Sequence, residues 1–266
     1  MKQAIRGALA AAVMAAPLAA EAADIRAIRP VYKGPPPITV YNWTGCYIGG
    51  QIGRQWTRWR AGVTYPATAP LVAAARDFED DGSFLYGGQL GCNWQAPGSI
   101  FVAGLEGDIA GRSGDSFGGE VLRLAVPATD HFDARGRIGT QLALRLRLGL
   151  TFDRFLVYVA GGPSWADFSA STLVVRDGVG SFDASVRDTR SGWNVGIGGE
   201  YAFGNNVTLG LEYRYTEYGT FNYNVPAGGF PFAFAGFTGN ADLIRTQDIR
   251  LRFNYQFNAG PLAARF

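Results

Sequence analysis

Apolar and polar side chains alternate along several stretches of the chain, most regularly from Asp248 to Phe257. One face is apolar and the other carries cations and amides: Ile249, Leu251, Phe253, Tyr255 and Phe257 against Arg250, Arg252, Asn254 and Gln256. Alternation with a period of two is typical of a β-strand between two different environments. A soluble sandwich buries the apolar face of such a strand, whereas a membrane barrel turns that face toward lipid.

The same alternation predicts eight strands after Trp43, each of about 11 to 15 residues, which suits a tilted strand that crosses a bilayer. The predicted strands are Gly45–Gln55, Ser83–Gln95, Ile100–Arg112, Arg137–Thr151, Phe155–Phe168, Ser191–Phe203, Val207–Tyr218 and Arg245–Phe257.

Short and long connections between these strands alternate without exception. The short ones (96–99, 152–154 and 204–206) contain turn formers, whereas the long ones (56–82, 113–136, 169–190 and 219–244) are rich in Gly, Asp and Thr. Outer-membrane barrels have tight periplasmic turns and long external loops, and a soluble sandwich has no reason to place every long loop at one end. The pattern therefore predicts an all-β fold, an eight-stranded antiparallel up-and-down transmembrane β-barrel with short periplasmic turns and long extracellular loops.

The alternation also assigns faces. We expect Leu142, Leu144 and Leu146 to face lipid, together with equivalent residues of other strands, while the fifth strand is apolar on both faces and leaves its phase open. Aromatic residues near strand ends are expected to form interface girdles. These are Trp43, Trp94, Tyr213, Tyr215, Tyr218 and Phe257.

The opposite phase places nine charged residues inside the barrel. They are Glu106, Asp108, Arg145, Arg147, Glu200, Glu212, Arg214, Arg250 and Arg252. Eight strands enclose a space that side chains fill, and unpaired charge is costly there. The sequence thus favours a paired network that plugs the lumen. A small-solute porin is the alternative.

The N-terminus reads as a cleaved signal peptide over residues 1–22, which indicates export. A Pro-rich periplasmic lead-in (23–42), the barrel (43–257) and a short C-terminal periplasmic extension (258–266) are expected to follow. Cleavage leaves 22 basic and 21 acidic residues, a net charge of +1. We expect no nucleic-acid partner, because that function requires a concentrated basic stripe.

Few residues suggest chemistry. Cys46 and Cys92 lie symmetrically about the first long connection and should face each other, either as a disulfide in an oxidising compartment or as two reduced thiols. His131 is the only histidine, and a lone loop imidazole is weak support for a base or a metal ligand. The sequence predicts no catalytic activity, no metal site and no cofactor. A lipid-modifying enzyme built around His131 is kept as a rival.

The fourth long connection carries four phenylalanines in Pro226–Gly239. They are Phe230, Phe232, Phe234 and Phe237. An exposed apolar loop can be a contact site. Equally, this loop can fold over the barrel mouth.

Several segments resemble the alphaproteobacterial outer-membrane immunogenic protein (porin-like surface antigen) family. They are Trp43–Gly53, Gly87–Trp94, Gly192–Tyr201, Leu211–Gly219 and Arg250–Phe257. The resemblance implies a structural surface protein or antigen of the cell outer membrane without catalytic residues. Members are described as antigens or porins, and some are linked to host contact or haem binding.

The resemblance also suggests partners and site roles. Outer-membrane lipid and lipopolysaccharide, and the barrel-assembly machinery during biogenesis, are the expected partners, with host surface or haem as candidates for the loops. The last strand resembles an assembly signal through Phe253, Tyr255 and Phe257, although residues 258–266 follow it here. Cys46 and Cys92 replace positions that are more often aromatic in the family.

Overall fold

The computed structural model describes residues 39–65, 72–114, 117–124, 130–176, 179–204, 206–225, 236–257 and 262–263. These residues form thirteen β-strands: β1 (Thr39–Val40), β2 (Gly45–Tyr65), β3 (Val72–Glu79), β4 (Ser83–Gln95), β5 (Phe101–Ser113), β6 (Phe117–Leu124), β7 (Asp130–Phe152), β8 (Phe155–Arg176), β9 (Gly180–Phe203), β10 (Val207–Tyr218), β11 (Phe221–Val225), β12 (Phe237–Phe257) and β13 (Leu262–Ala263). Within these ranges no helix is long and apolar enough to span a membrane.

Eight of these strands close into a ring, as the alternating pattern predicts. The order is β2, β4, β5, β7, β8, β9, β10 and β12, and every pairing is antiparallel. The ring closes because β12 pairs back with β2, with Phe257 opposite Cys46 and Asp248 opposite Gln55. The predicted fold class is therefore confirmed.

The outer surface of the ring is an apolar belt. The alternating leucines of β7 point outward, and Leu146 is 66% exposed. The structure also fixes the phase of β8, which the sequence left open: Phe155 and Val157 point outward, whereas Leu156 and Tyr158 are buried.

Only some of the aromatic residues that were predicted to form the interface girdles lie on the outer surface. Trp94, Tyr213 and Phe257 are exposed on the outer surface, and Tyr215 is half-buried there. The prediction is wrong for Trp43 and Tyr218, which are 0% and 3% exposed and point into the barrel. Trp43 precedes the first barrel strand and has no fixed phase, while Tyr218 shares the inward phase of Glu212 and Arg214 on β10.

The two ends of the barrel differ, and we call them the short-turn end and the long-hairpin end. At the short-turn end, β7 and β8 are joined by Asp153 and Arg154 alone, and Asp153 has a φ of 54°. Asp tolerates this left-handed conformation better than most residues, which explains why it occupies the turn.

At the long-hairpin end, the predicted limits of most strands are too short. β4 and β10 have the predicted limits, but β2, β7, β8, β9 and β12 each continue for about seven to eleven further residues. Three short strands pair with these extensions. β3 pairs with the part of β2 that extends beyond β4, and β6 pairs with the part of β7 that extends beyond β5. In the same way, β11 pairs with the part of β12 that extends beyond β10. The predicted long loops are therefore largely β-hairpins, because backbone pairing does not require the regular alternation that marks a membrane-facing strand.

These extensions form two facing sheets, β6–β7–β8–β9 and β3–β2–β12–β11. We call this part the outer sandwich. Its core consists of Trp59, Ala61, Val63, Phe237, Ala241 and Ile244 from one sheet and Phe132, Ala134, Ile138, Ala166, Phe168, Ala170 and Val174 from the other. The rings of Phe132 and Phe237 meet across it edge to face, with centroids 5.6 Å apart.

Phe237 therefore does not belong to an exposed contact loop, as one of the two sequence alternatives supposed. It is the first residue of β12 and is 1% exposed, because its strand phase directs it into the sandwich core. Phe230, Phe232 and Phe234 lie outside the described residues.

The terminal segments are described only in part. β1 pairs with β13, so that Thr39 lies opposite Ala263, and the lead-in and the C-terminal extension meet there. The signal peptide and most of the lead-in lie outside the described residues, and their assignment stays a prediction.

Cys46 and Cys92 form the disulfide that was one of the two sequence alternatives. They are directly opposite each other on β2 and β4, and both side chains are exposed on the outer surface. The bond joins the first strand of the ring to its neighbour near the short-turn end.

We predict that Phe132→Ala loosens the outer sandwich. Truncating a buried Phe costs about 3 to 5 kcal/mol. Hydrogen exchange of the sandwich amides should therefore accelerate by about a hundredfold or more. Val179→Ala, at an exposed turn position of the same region, is the control. Unchanged protection in Phe132→Ala would contradict the packed sandwich.

Candidate functional site in the barrel interior

All nine charged residues that the sequence places inside the barrel are buried. They come from β5, β7, β9, β10 and β12, and the strand register brings acids opposite bases: Glu106 lies opposite Arg145, and Glu212 opposite Arg250. Successive side chains of a strand point to opposite faces. Because the apolar residues of the belt point outward, the charged residues between them point into the barrel.

Glu106 and Glu212 are the two central acceptors. Arg145 Nη1 donates to Glu212 Oε1 at 2.8 Å and to Glu106 Oε1 at 3.2 Å. Arg252 also bonds to both carboxylates, with its Nη1 2.5 Å from Glu212 Oε2. Since β7 and β12 reach the same pair of acids, these contacts cross the lumen rather than follow its wall.

A second group lies on the long-hairpin side. Arg214 Nη1 donates to Asp108 Oδ1 at 2.9 Å, and Arg250 Nη1 lies 3.3 Å from the same oxygen. Arg250 Nε also donates to Asp248 Oδ1 at 2.5 Å. Asp248 was missed in the sequence, although its spacing of two from Arg250 and four from Arg252 gives it the same inward phase.

A third group surrounds Arg147. Its Nη2 lies 2.5 Å from Glu200 Oε1, and its guanidinium stacks on Tyr158 at 3.6 Å from the ring centroid. The Tyr158 ring lies over Gly198, where an added Cβ would come within 2.5 Å of it. Glycine at this position of β9 thus makes room for the tyrosine that supports the arginine.

Among the described interior residues, the network joins five guanidinium groups to five carboxylates, a formal charge of zero. Tyr47 and Tyr158 add hydroxyl donors to Glu106 and Glu212 at 2.5 and 2.8 Å. Each of these two carboxylates is also bonded to a guanidinium, so its charge is neutralised within the barrel. The sequence analysis assigned neither tyrosine to the interior. For Tyr158 the reason is that β8 gives no clear phase, whereas the inward phase of Tyr47 on β2 could have been found from the outward-facing Cys46 beside it.

The short-turn end is closed by aromatic side chains. Tyr41 and Trp43 pack edge to face at 5.0 Å and contact an apolar cluster that includes Leu156 and Ala202. Gln256 Nε2 donates to the Trp43 carbonyl at 3.1 Å, and Tyr41 donates to Gln256 Oε1 at 2.8 Å. Burial raises the pKa of Tyr41 to about 12.

The long-hairpin end is closed differently. Arg112 bonds to Asp80 and Ser83 and donates to Thr57 Oγ1 at 2.9 Å. The core of the outer sandwich lies beyond it. The interior is thus filled at three levels: aromatic side chains, ion pairs, and an apolar core.

The remaining sequence candidates lie outside this interior network. His131 is on β7 opposite Arg123 and Val175, not in a loop as expected. The described ranges contain no group of three or more side chains suited to hold a metal ion. Phe253, Tyr255 and Phe257 are exposed on the outer face of the strand that closes the ring.

The closed ring, the outward apolar belt and the charged, filled interior define a small transmembrane β-barrel. The family model for the outer membrane protein beta-barrel domain matches residues 8–257, and the chain belongs to this family. It is an outer-membrane protein, so the short-turn end is periplasmic and the long-hairpin end is extracellular.

Two relatives that are named as outer-membrane proteins agree with this assignment. The chain is 30% identical to the 31 kDa outer-membrane immunogenic protein of Brucella melitensis over 211 residues, which cover 76% of this chain and 82% of that protein. It is 33% identical to the 22 kDa outer membrane protein of Rhizobium leguminosarum over 195 residues, 71% of each chain. The outer membrane protein OprG from Pseudomonas aeruginosa aligns with a TM-score of 0.47 at 10% identity, over 82% of this chain and 99% of that one.

We predict that Glu212→Gln destabilises the barrel by about 3 to 5 kcal/mol, because it removes one partner of buried ion pairs. The matched control is Glu217→Gln, on the same strand but facing outward, where a surface pair with Arg245 contributes about 0 to 1 kcal/mol. Urea unfolding in liposomes, followed by heat-modifiable gel migration, measures the difference. Equal midpoints for the two variants would contradict the network.

Proposed function

We propose that this protein is a non-conducting structural barrel of the outer membrane that displays the outer sandwich at the cell surface. Its role is then envelope integrity or surface interaction, and not solute passage. The observation that carries this proposal is the three-level filling of the interior. The interior of an eight-stranded barrel is narrow enough for its own side chains to fill, and here those side chains meet across the lumen.

The ion pairs are the main argument against a porin. Arg145 and Arg252 reach Glu212 from strands on different sides of the lumen, and Tyr47 on β2 reaches Glu106 on β5. A solute path would require these pairs to separate inside a narrow, poorly solvated space, which leaves buried charges unpaired. An aqueous channel is typical of barrels with many more strands.

The relatives support surface display. The Brucella melitensis protein is named as an outer-membrane immunogenic protein. In this chain, the outer sandwich is the part that extends beyond the apolar belt on the extracellular side. We therefore propose it as the surface that is presented to the exterior.

We propose no catalytic role. The rival lipid-modifying enzyme would use His131, which lies in the sandwich part of β7, above the apolar belt. That position separates it from the acyl region of the membrane. The interior acids are bonded to arginines and so are poor candidates for general acid and base.

Two further partner assignments remain proposals. Phe253, Tyr255 and Phe257 lie on the closing strand, which suits recognition by the barrel-assembly machinery before the ring closes. Contact of host surface or haem with Phe230, Phe232 and Phe234 stays a prediction from the sequence.

We predict that the purified protein gives no discrete conductance steps in planar lipid bilayers. The protein should be taken from a host that lacks its own major porins, and a detergent-only addition is the blank. Reproducible steps whose number rises with the amount of protein would overturn the plugged barrel and favour the porin.

A further inference from the structure

A cleft of about 550 Å³ lies on the outer surface, between the apolar belt and the outer sandwich. Its walls carry arginines, acids and aromatic residues, notably Trp56, Arg58, Arg60, Glu79, Tyr215 and Arg245. Below it, the outward residues of the same strands are mostly apolar or aromatic, including Ile249, Leu251 and Tyr213, with the charged Arg54 among them next to Trp56. The cleft thus lies where the lipid-facing surface ends on the extracellular side, at the level of the outer-leaflet headgroups.

The charges in this cleft are arranged in one transverse row. Glu79, Arg58, Arg245 and Glu217 lie directly opposite one another on β3, β2, β12 and β10. Arg58 bonds to Glu79 at 2.8 Å and Arg245 to Glu217 at 3.2 Å, so each arginine pairs with the acid on its far side. The two arginines themselves face each other across the β2–β12 pair.

Like charges directly opposite each other on neighbouring strands destabilise a sheet. The pairing within the row therefore does not explain why two arginines stand at its centre. Arg60, two residues along β2, adds a third guanidinium to the same wall, where it bonds to Asp77 at 2.8 Å. A group of negative charge between Arg58 and Arg245 would relieve their repulsion.

The two central guanidinium groups are accessible to such a group. Their side chains are 62% and 44% exposed. A guanidinium has five N–H donors in a fork that matches phosphate oxygens, and the bond to the flanking acid uses only part of that fork. Trp56 and Tyr215 below them are of the residue types that occupy membrane interfaces.

We propose that Arg58 and Arg245 bind a phosphate of a phosphorylated lipid in the outer leaflet. Its acyl chains would lie along the apolar belt, next to Ile249 and Tyr213, and its headgroup would occupy the cleft. This site depends on the position of the barrel in the outer membrane but not on whether the lumen conducts. Conductance and lipid binding are thus independent tests.

The test is a titration of the full-length protein in detergent with bis-phosphorylated lipid A, followed by native mass spectrometry. Arg58→Gln/Arg245→Gln should weaken binding by at least about tenfold, because it removes charge-assisted hydrogen bonds. Glu79→Gln/Glu217→Gln should bind more tightly than the wild type, because it removes negative charge on either side of the phosphate.

The control is Arg123→Gln/Arg187→Gln, which removes the same charge from exposed positions outside the cleft and should bind like the wild type. All four residues of the row are outward-facing, and unchanged heat-modifiable migration shows that each variant is folded. Wild-type affinity in Arg58→Gln/Arg245→Gln would overturn the proposal. So would equal binding of dephosphorylated lipid A, or displacement of bound lipid A by millimolar inorganic phosphate, which would identify a free anion as the ligand.

Discussion

Eight strands enclose a space about as wide as the side chains that fill it, so every inward charge must find its counterion inside that space. This constraint governs the rest of the structure. Glu106 and Glu212 at the centre each accept from arginines on more than one strand, and these bonds tie opposite walls together. The apolar belt holds the barrel in lipid, and the paired interior is the reason why we propose a solid body rather than a channel.

The two ends of the barrel are closed mainly by apolar packing. Tyr41 and Trp43 close the periplasmic end with a few aromatic contacts and bonds to Gln256, while the extracellular end continues as two facing sheets over an apolar core. Above the membrane the sheets are in water, so burial of Phe132 and Phe237 stabilises them as it does in a soluble sandwich. The same chain thus forms a membrane barrel, whose apolar faces point outward, and above it a sandwich, whose apolar faces point inward.

Much of the barrel could be predicted, because the sequence shows directly which face of a strand is apolar and how long each connection is. The ring, its outward leucines and the nine interior charges all follow from alternation. Asp248 could have been found from its spacing to Arg250. Tyr158 could not, since both faces of β8 are apolar. The outer sandwich was hidden for another reason: its strands alternate less regularly, and Gly, Asp and Thr made them read as loops. Trp43 was misplaced because no strand sets its direction.

The central claim is that the lumen is closed to water-borne solutes, and the reactivity of an engineered interior thiol tests it most directly. Thr208→Cys places a single free thiol at a buried position of the barrel interior, and Ser181→Cys places one at an exposed position of the outer sandwich. Both native cysteines are in the disulfide and do not compete. In liposomes, a charged methanethiosulfonate reagent should label Ser181→Cys rapidly and leave Thr208→Cys unmodified while the barrel is folded. Labelling of Thr208→Cys at a rate close to that of Ser181→Cys would contradict the closed interior.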